Sequence, residues 1–199
     1  MINRKVKIAL KVVGISVLLT ICIFLCLLLR YEDPIREFPK EIDVQNGDIL
    51  LLGSSTLRGR ILKMLDWGTS WLHVGLADVS RGEIAIIHAD PKMGTVRELI
   101  SDYLLSNHVN AIAVLRPIAG DPDRAVAFAR EMAKKNAPFD NRFRYKSGKS
   151  IYCTELVLLA WESGGCEILS NVSVGASIKP SQLFSSPNLT LIWQNPRSK

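Results

Sequence analysis

Hydrophobic positions along the chain fall into three regimes. The first is an unbroken run, VVGISVLLTICIFLCLLL at residues 12–29, which is 18 positions without a charge. That is about the shortest helix able to cross a hydrocarbon core of roughly 30 Å. Arg4, Lys5, Lys7 and Lys11 precede it, and the first acid is Glu32. Cationic flanks stay on the cytoplasmic side of a membrane. The pattern therefore predicts a basic tail at 1–11, a transmembrane anchor at 12–29 and export of the rest. A cleaved signal peptide requires a shorter apolar stretch and a small-residue exit site, which LLLRYEDP does not offer. A lipoprotein signal requires a small residue before its cysteine, whereas Cys22 follows Ile21 and Cys26 follows Leu25.

The second regime is short extended runs. Residues 30–46 are polar, contain Pro34 and Pro39, and read as a linker. A domain over 47–199 follows. Asn46-Gly47 signals a turn and residues 49–52, ILLL, a buried strand. WLHVGLADV and EIAIIHAD read as two strands around a turn at Ser80, Arg81 and Gly82. GTVRELISDYLL starts extended and becomes helical. NAIAVLRP is a strand stopped by Pro117, and LTLIW a last strand.

The third regime is helical spacing. In DPDRAVAFAREMAKKN, Asp121 caps, Pro122 occupies the first turn, and Ala125, Phe128, Ala129 and Met132 share a face. CTELVLLAWES is the second clear helix, ended by Gly164-Gly165. TLRGRILKMLDWG suggests a short helix or irregular segment, and Pro180 opens a helical turn. No internal repeat is visible. The order predicts α+β with a mostly antiparallel sheet.

Charge changes this picture little. The net charge is +6, but the four cations before the anchor leave +2 for the remainder. A nucleic-acid-binding domain would concentrate basic charge on its folded part, so that class is disfavoured. Of four cysteines, Cys22 and Cys26 fall in the anchor, and Cys153 and Cys166 are free to pair in an oxidising compartment. No cysteine–histidine cluster suggests zinc, and no cofactor is implied.

Cys153 is the candidate for chemistry. It sits where the non-helical KSIY meets an apolar helix. Helix N-termini and neighbouring imidazoles both favour thiolate, and the same N–H groups can hold an oxyanion. The alternative is packing, since free cysteine is among the most buried residue types. Three histidines are available: His73, His88 and His108. His73 shares a strand face with Gly75 and Ala77, which leaves room beside it. If the two strands form a hairpin, His88 lies on the adjacent strand and can orient His73 as a base. Both also suit satisfied core positions. His108 reads as a loop residue.

GDILL, HVGL, IIHAD, YCTELV and SIKPSQLF occur in the order seen in circularly permuted papain-like enzymes. The chain resembles the YaeF/YiiX-type permuted amidases. It is similar, more remotely, to the lecithin–retinol acyltransferase group and the NlpC-type cysteine peptidases. His73 precedes Cys153 by 80 positions, as the permuted order requires. The resemblance implies Cys153 as nucleophile, His73 as general base and His88 in the third polar position. Many YaeF/YiiX-like sequences carry glutamate there. Asp90 is a second candidate orienter. Tyr152 and Asp48 are candidate substrate contacts, and Glu155 stabilises the helix.

The resulting expectation is a membrane-anchored thiol hydrolase or acyltransferase working through a thioester. It would act on cell-envelope peptide or lipid at the outer face of a bacterial inner membrane. The basic run Lys134, Lys135, Arg142, Arg144, Lys146 and Lys149 either meets anionic groups or is solvated. The competing expectation is a membrane-tethered binding module of the same fold without activity.

Overall fold

The structure, a computed structural model, describes residues 4–29, 33–57, 59, 61, 69–79 and 82–195. It divides into two compact units, residues 1–32 and 33–199. In the first unit, α1 (Arg4–Leu29) is a single helix of 26 residues. Its described side chains, 11–26, are all exposed. Among the described residues no helix is long and apolar enough to cross a membrane. The expected anchor at 12–29 thus appears as a helix but not as a demonstrated span.

The second unit is α+β. Its strands are β1 (Ile49–Ser54), β2 (His73–Asp78), β3 (Ala85–Asp90), β4 (Gly94–Leu99), β5 (Val109–Pro117) and β6 (Leu189–Gln194). They form one six-stranded sheet in the order β4-β3-β2-β1-β5-β6. Every neighbouring pair is antiparallel. Its helices are α2 (Ile100–Asn107), α3 (Pro122–Lys134), α4 (Cys153–Ser163) and the short α5 (Pro180–Phe184).

Both faces of the sheet are covered. Ile49 and Leu51 point to one face, where they pack with Val74, Ile87 and residues of α3 and α4. Leu50 and Leu52 point to the other, with Ile86, Tyr103 and Leu104. A strand buried on both faces reads as a continuous apolar run, because successive side chains alternate sides. That is the origin of ILLL. Of the segment expected as a linker, 30–46, residues 30–32 lie outside the described residues and 33–46 belong to this unit. Ile42 is buried, and Ile35, Phe38 and Val44 pack on the second face. The Ile35 N–H also bonds the Val109 carbonyl at 2.6 Å. Its few apolar residues cover sheet surface that would otherwise meet water.

The α3 start behaves as its sequence predicts, with Asp121 accepting from the N–H groups of Asp123 and Arg124 and Pro122 opening the helix. Packing of α3 on α4 is close. Gly47, at φ +83°, brings its backbone against Pro122 and Trp161, where a Cβ would approach within 2.9 Å of each. The Trp161 indole donates to the Gly47 carbonyl at 3.1 Å. Two buried carboxylates pin the sheet. Asp78 accepts from Arg97 and Arg130 at 2.7 Å each, joining β2, β4 and α3. Asp48 accepts from Arg116 at 2.8 Å through both carboxylate oxygens.

Most of the segment expected as a short helix at 56–68, together with Ser80 and Arg81 of the expected turn, lies outside the described residues.

Candidate active site

Cys153 opens α4. Tyr152 before it is extended, with φ −105° and ψ 170°, and gives no side-chain cap. The unpaired N–H groups of the first turn are therefore left for another acceptor. The backbone N–H groups of Thr154, of Cys153 itself and of Val74 on β2 each favour a negative sulfur. Thr154 Oγ1 lies 3.9 Å away. Cys153 is only 6% exposed, and burial pushes its thiol above the ordinary range while these N–H groups pull it down. The helix N-terminus was expected to yield a lowered thiol. Desolvation outweighs it here, because a buried thiolate loses its hydration.

His73 opens β2 and His88 lies on β3. The hairpin register pairs Leu76 with Ile87. Carried along the strands, it sets Gly75 opposite His88, so the two histidines are diagonal neighbours on one face. His73 Nε2 and His88 Nδ1 are 3.0 Å apart, with the rings edge to face at 84°. The other nitrogen of His88, Nε2, lies 2.7 Å from Glu98 Oε1 on β4. Tyr103 of α2 stacks on His73 with centroids 5.8 Å apart and meets His88 edge-on at 4.9 Å.

Enclosure of the His73 ring, and secondarily the neighbouring His88, holds its pKa well below the usual imidazole range. Burial raises the Tyr103 hydroxyl far above the usual phenol range, with further contributions from Cys153, Glu98 and Asp90. Thiol, phenol and imidazoles therefore share one electrostatic neighbourhood. Among the described residues no hydrogen bond joins the sulfur directly to either imidazole. His73 pairs with Leu52 and so shares the sheet face that carries Tyr103, whereas Cys153 packs in the cluster on the other face.

Other expected residues are engaged elsewhere. Asp48 precedes Ile49, which pairs with Leu76, whereas His73 pairs with Leu52. Asp48 therefore lies towards the far end of β2 from His73, clamped to Arg116 and to the Gln45 N–H. The Tyr152 side chain is buried against Phe143, and its hydroxyl accepts from the Ile178 N–H at 3.2 Å. Asp90 accepts from the N–H groups of Lys92 and Met93 in the β3–β4 turn, while His88 is the residue hydrogen-bonded to His73. The room expected beside Gly75 is filled, since a Cβ there would lie 2.6 Å from Ile86 Cγ1. Glu155 does more than favour its helix. It is buried and accepts from the Lys146 N–H at 2.6 Å, which ties the preceding loop to α4.

Two residues escaped the sequence reading. Glu98 stands beside Arg97 on the edge strand β4, where a charged pair reads as solvent-facing. Period-two alternation from His88 through the paired Val96 would have placed Glu98 on the histidine face. Tyr103 in SDYLL carried no signal beyond helical amphipathicity. The basic loop is exposed at Arg142, Arg144, Lys146 and Lys149, and Lys146 Nζ pairs with Glu162 at 2.7 Å. All four cysteines are free.

No protein-family model matches this chain, and no curated protein does. Among solved structures, the crystal structure of metalloprotein YiiX from Escherichia coli O157:H7 (DUF1105) matches with a TM-score of 0.61 at 15% identity. The match covers 76% of this chain and 97% of that one. The chain has a YiiX-like fold. YiiX is described as a metalloprotein, and the histidine cluster invites the same question here. Among the described residues no group of three or more His, Cys, Asp or Glu is placed to hold a metal ion. Both His88 nitrogens are engaged, one by His73 and one by Glu98. The residues of this site do not fit a metal.

Proposed function

We propose that this YiiX-like chain is a thiol-dependent hydrolase or acyltransferase of the permuted papain-like type. In this reading Cys153 is the nucleophile, His73 the general base and His88 its orienter. The observation that carries it is a free thiol at the opening of α4 in a fold whose β2–β3 hairpin holds His73 hydrogen-bonded to His88. A nucleophile, a base and a group that fixes the base are the recurring parts of such sites.

The raised thiol and lowered imidazole describe a neutral resting pair rather than a thiolate–imidazolium pair. Proton transfer therefore accompanies attack. His73 takes the thiol proton as Sγ bonds to the carbonyl carbon of an amide or ester. The oxyanion is held by backbone N–H groups at the α4 N-terminus. His73 then protonates the leaving amine or alcohol, the carbonyl re-forms, and a thioester remains. Water or another acceptor attacks that thioester, losing its proton to His73. The thiolate leaves and is reprotonated.

The proposed substrates are peptide or lipid of the cell envelope. Attachment to a bacterial inner membrane through residues 12–29, with the domain on the outer side, is part of the proposal. It rests on the uncharged run, its cationic flank and the exposed Val12, Leu18, Ile23 and Phe24 of α1. A helix apolar on all sides calls for burial in lipid or protein.

The burial of Cys153 favours a second reading, an inactive binding module of the same fold. Intact mass after incubation with p-nitrophenyl acetate separates the two. An acetyl adduct confined to Cys153, absent from Cys153→Ala, supports the enzyme. An unmodified folded chain under conditions that acetylate free cysteine supports the module.

A further inference from the structure

The geometry assigns Glu98 as a positioning residue that fixes, through His88, which nitrogen of His73 serves as the base. This rests on the proposed role of His73. A carboxylate only accepts hydrogen bonds, whereas a neutral imidazole has one donor and one acceptor nitrogen. Glu98 Oε1 lies 2.7 Å from His88 Nε2, so neutral His88 carries its proton there. His88 Nδ1 is then an acceptor, and 3.0 Å away the proton of His73 must sit on Nε2. Among the described residues no hydrogen bond takes the lone pair left on His73 Nδ1. One carboxylate thus sets two tautomers in series and leaves Nδ1 as the nitrogen able to accept a proton.

The arrangement also has a defined failure mode. A second proton on His88 makes Nδ1 a donor, His73 Nε2 becomes the acceptor, and the remaining His73 proton moves to Nδ1. The base is then blocked. The titratable groups facing this series are Glu98 on β4, Tyr103 on α2, Cys153 on α4 and Asp90 at the end of β3.

The test pairs nitrogen-15 NMR of histidine-labelled full-length chain with the rate of Cys153 alkylation by iodoacetamide. In the unaltered chain above pH 7, His73 and His88 should both appear as Nε2–H tautomers. Glu98→Ala should convert His73 to a tautomer mixture and slow alkylation by at least about tenfold, within what a general base contributes. Glu98→Gln keeps an acceptor oxygen and should restore most of the rate. Glu98 is partly exposed, at 23%, so both variants should fold, which circular dichroism checks. Unchanged His73 tautomers in Glu98→Ala overturn the assignment. So does a slowed rate that Glu98→Gln fails to restore. His73→Ala is the independent control: if it leaves alkylation unchanged, the catalytic reading fails whatever the tautomers show.

Discussion

His73 Nε2 and His88 Nδ1 stand 3.0 Å apart on neighbouring strands, and Glu98 holds the far side of His88 at 2.7 Å. No backbone bond joins these rings. Their contact follows from the β2–β3 register, which makes them diagonal neighbours on one face. Replacing His88 by alanine should release the His73 ring. Iodoacetamide alkylation of Cys153 should then slow by about 10- to 10²-fold, while His88→Asn, which keeps a polar partner, loses less.

The charge states imply a particular pH dependence of reactivity. Burial raises the thiol and lowers His73, so few molecules carry a thiolate near neutrality. Alkylation without a bound substrate should climb steadily above pH 8 and show no plateau at pH 5–6. A low-pH plateau would reveal a preformed thiolate–imidazolium pair.

Stability should respond to pH through His73. Its folded pKa lies below the unfolded value of about 6.5. Below that value the unfolded chain binds the extra proton and the folded one resists it. Stability is therefore complete above about pH 6.5 and falls as pH drops through the window beneath it. Urea denaturation from pH 8 to pH 5 should show the decline, and His73→Gln should flatten it.

Asp78 is a structural counterpart to the site. It is fully buried and bonds both Arg97 and Arg130. Arg130→Ala leaves Asp78 bonded to Arg97 and should cost about 1.5–3 kcal/mol in urea denaturation, the range for a hydrogen bond to a charged group, with little effect on Cys153 alkylation.

Gly75→Ala should destabilise the β2–β3 hairpin. The new Cβ would meet Ile86 Cγ1 at 2.6 Å and the Ile87 carbonyl oxygen at 2.9 Å. Overpacking of this kind costs about 1–3 kcal/mol, read as a shifted urea midpoint.

Much of this arrangement was legible in the residues. ILLL, HVGLAD and AIIHAD announced strands because their side chains meet apolar layers. Asp121-Pro122 and the break before Cys153 announced helix starts. The pairing of His73 with His88 followed from a short connection between two strands. Glu98 was hidden because its neighbour Arg97 made it look solvent-facing, and only the pairing of β3 with β4 brings it under His88. The state of Cys153 was misjudged for a related reason. A helix N-terminus is local and visible in sequence, but the layer of side chains that desolvates the sulfur is assembled from β2, α3 and α4. Segment 33–46 looked like a linker because its few apolar residues only gain meaning once the sheet exposes a face for them.

Iodoacetamide labelling of the full-length chain, with and without His73, bears most directly on whether a working thiol site exists. Labelling should concentrate on Cys153 and fall at least about tenfold in His73→Ala, with the fold unchanged by circular dichroism. Equal labelling of Cys153 in both chains, or none in the folded protein, would contradict a thiol activated by that imidazole.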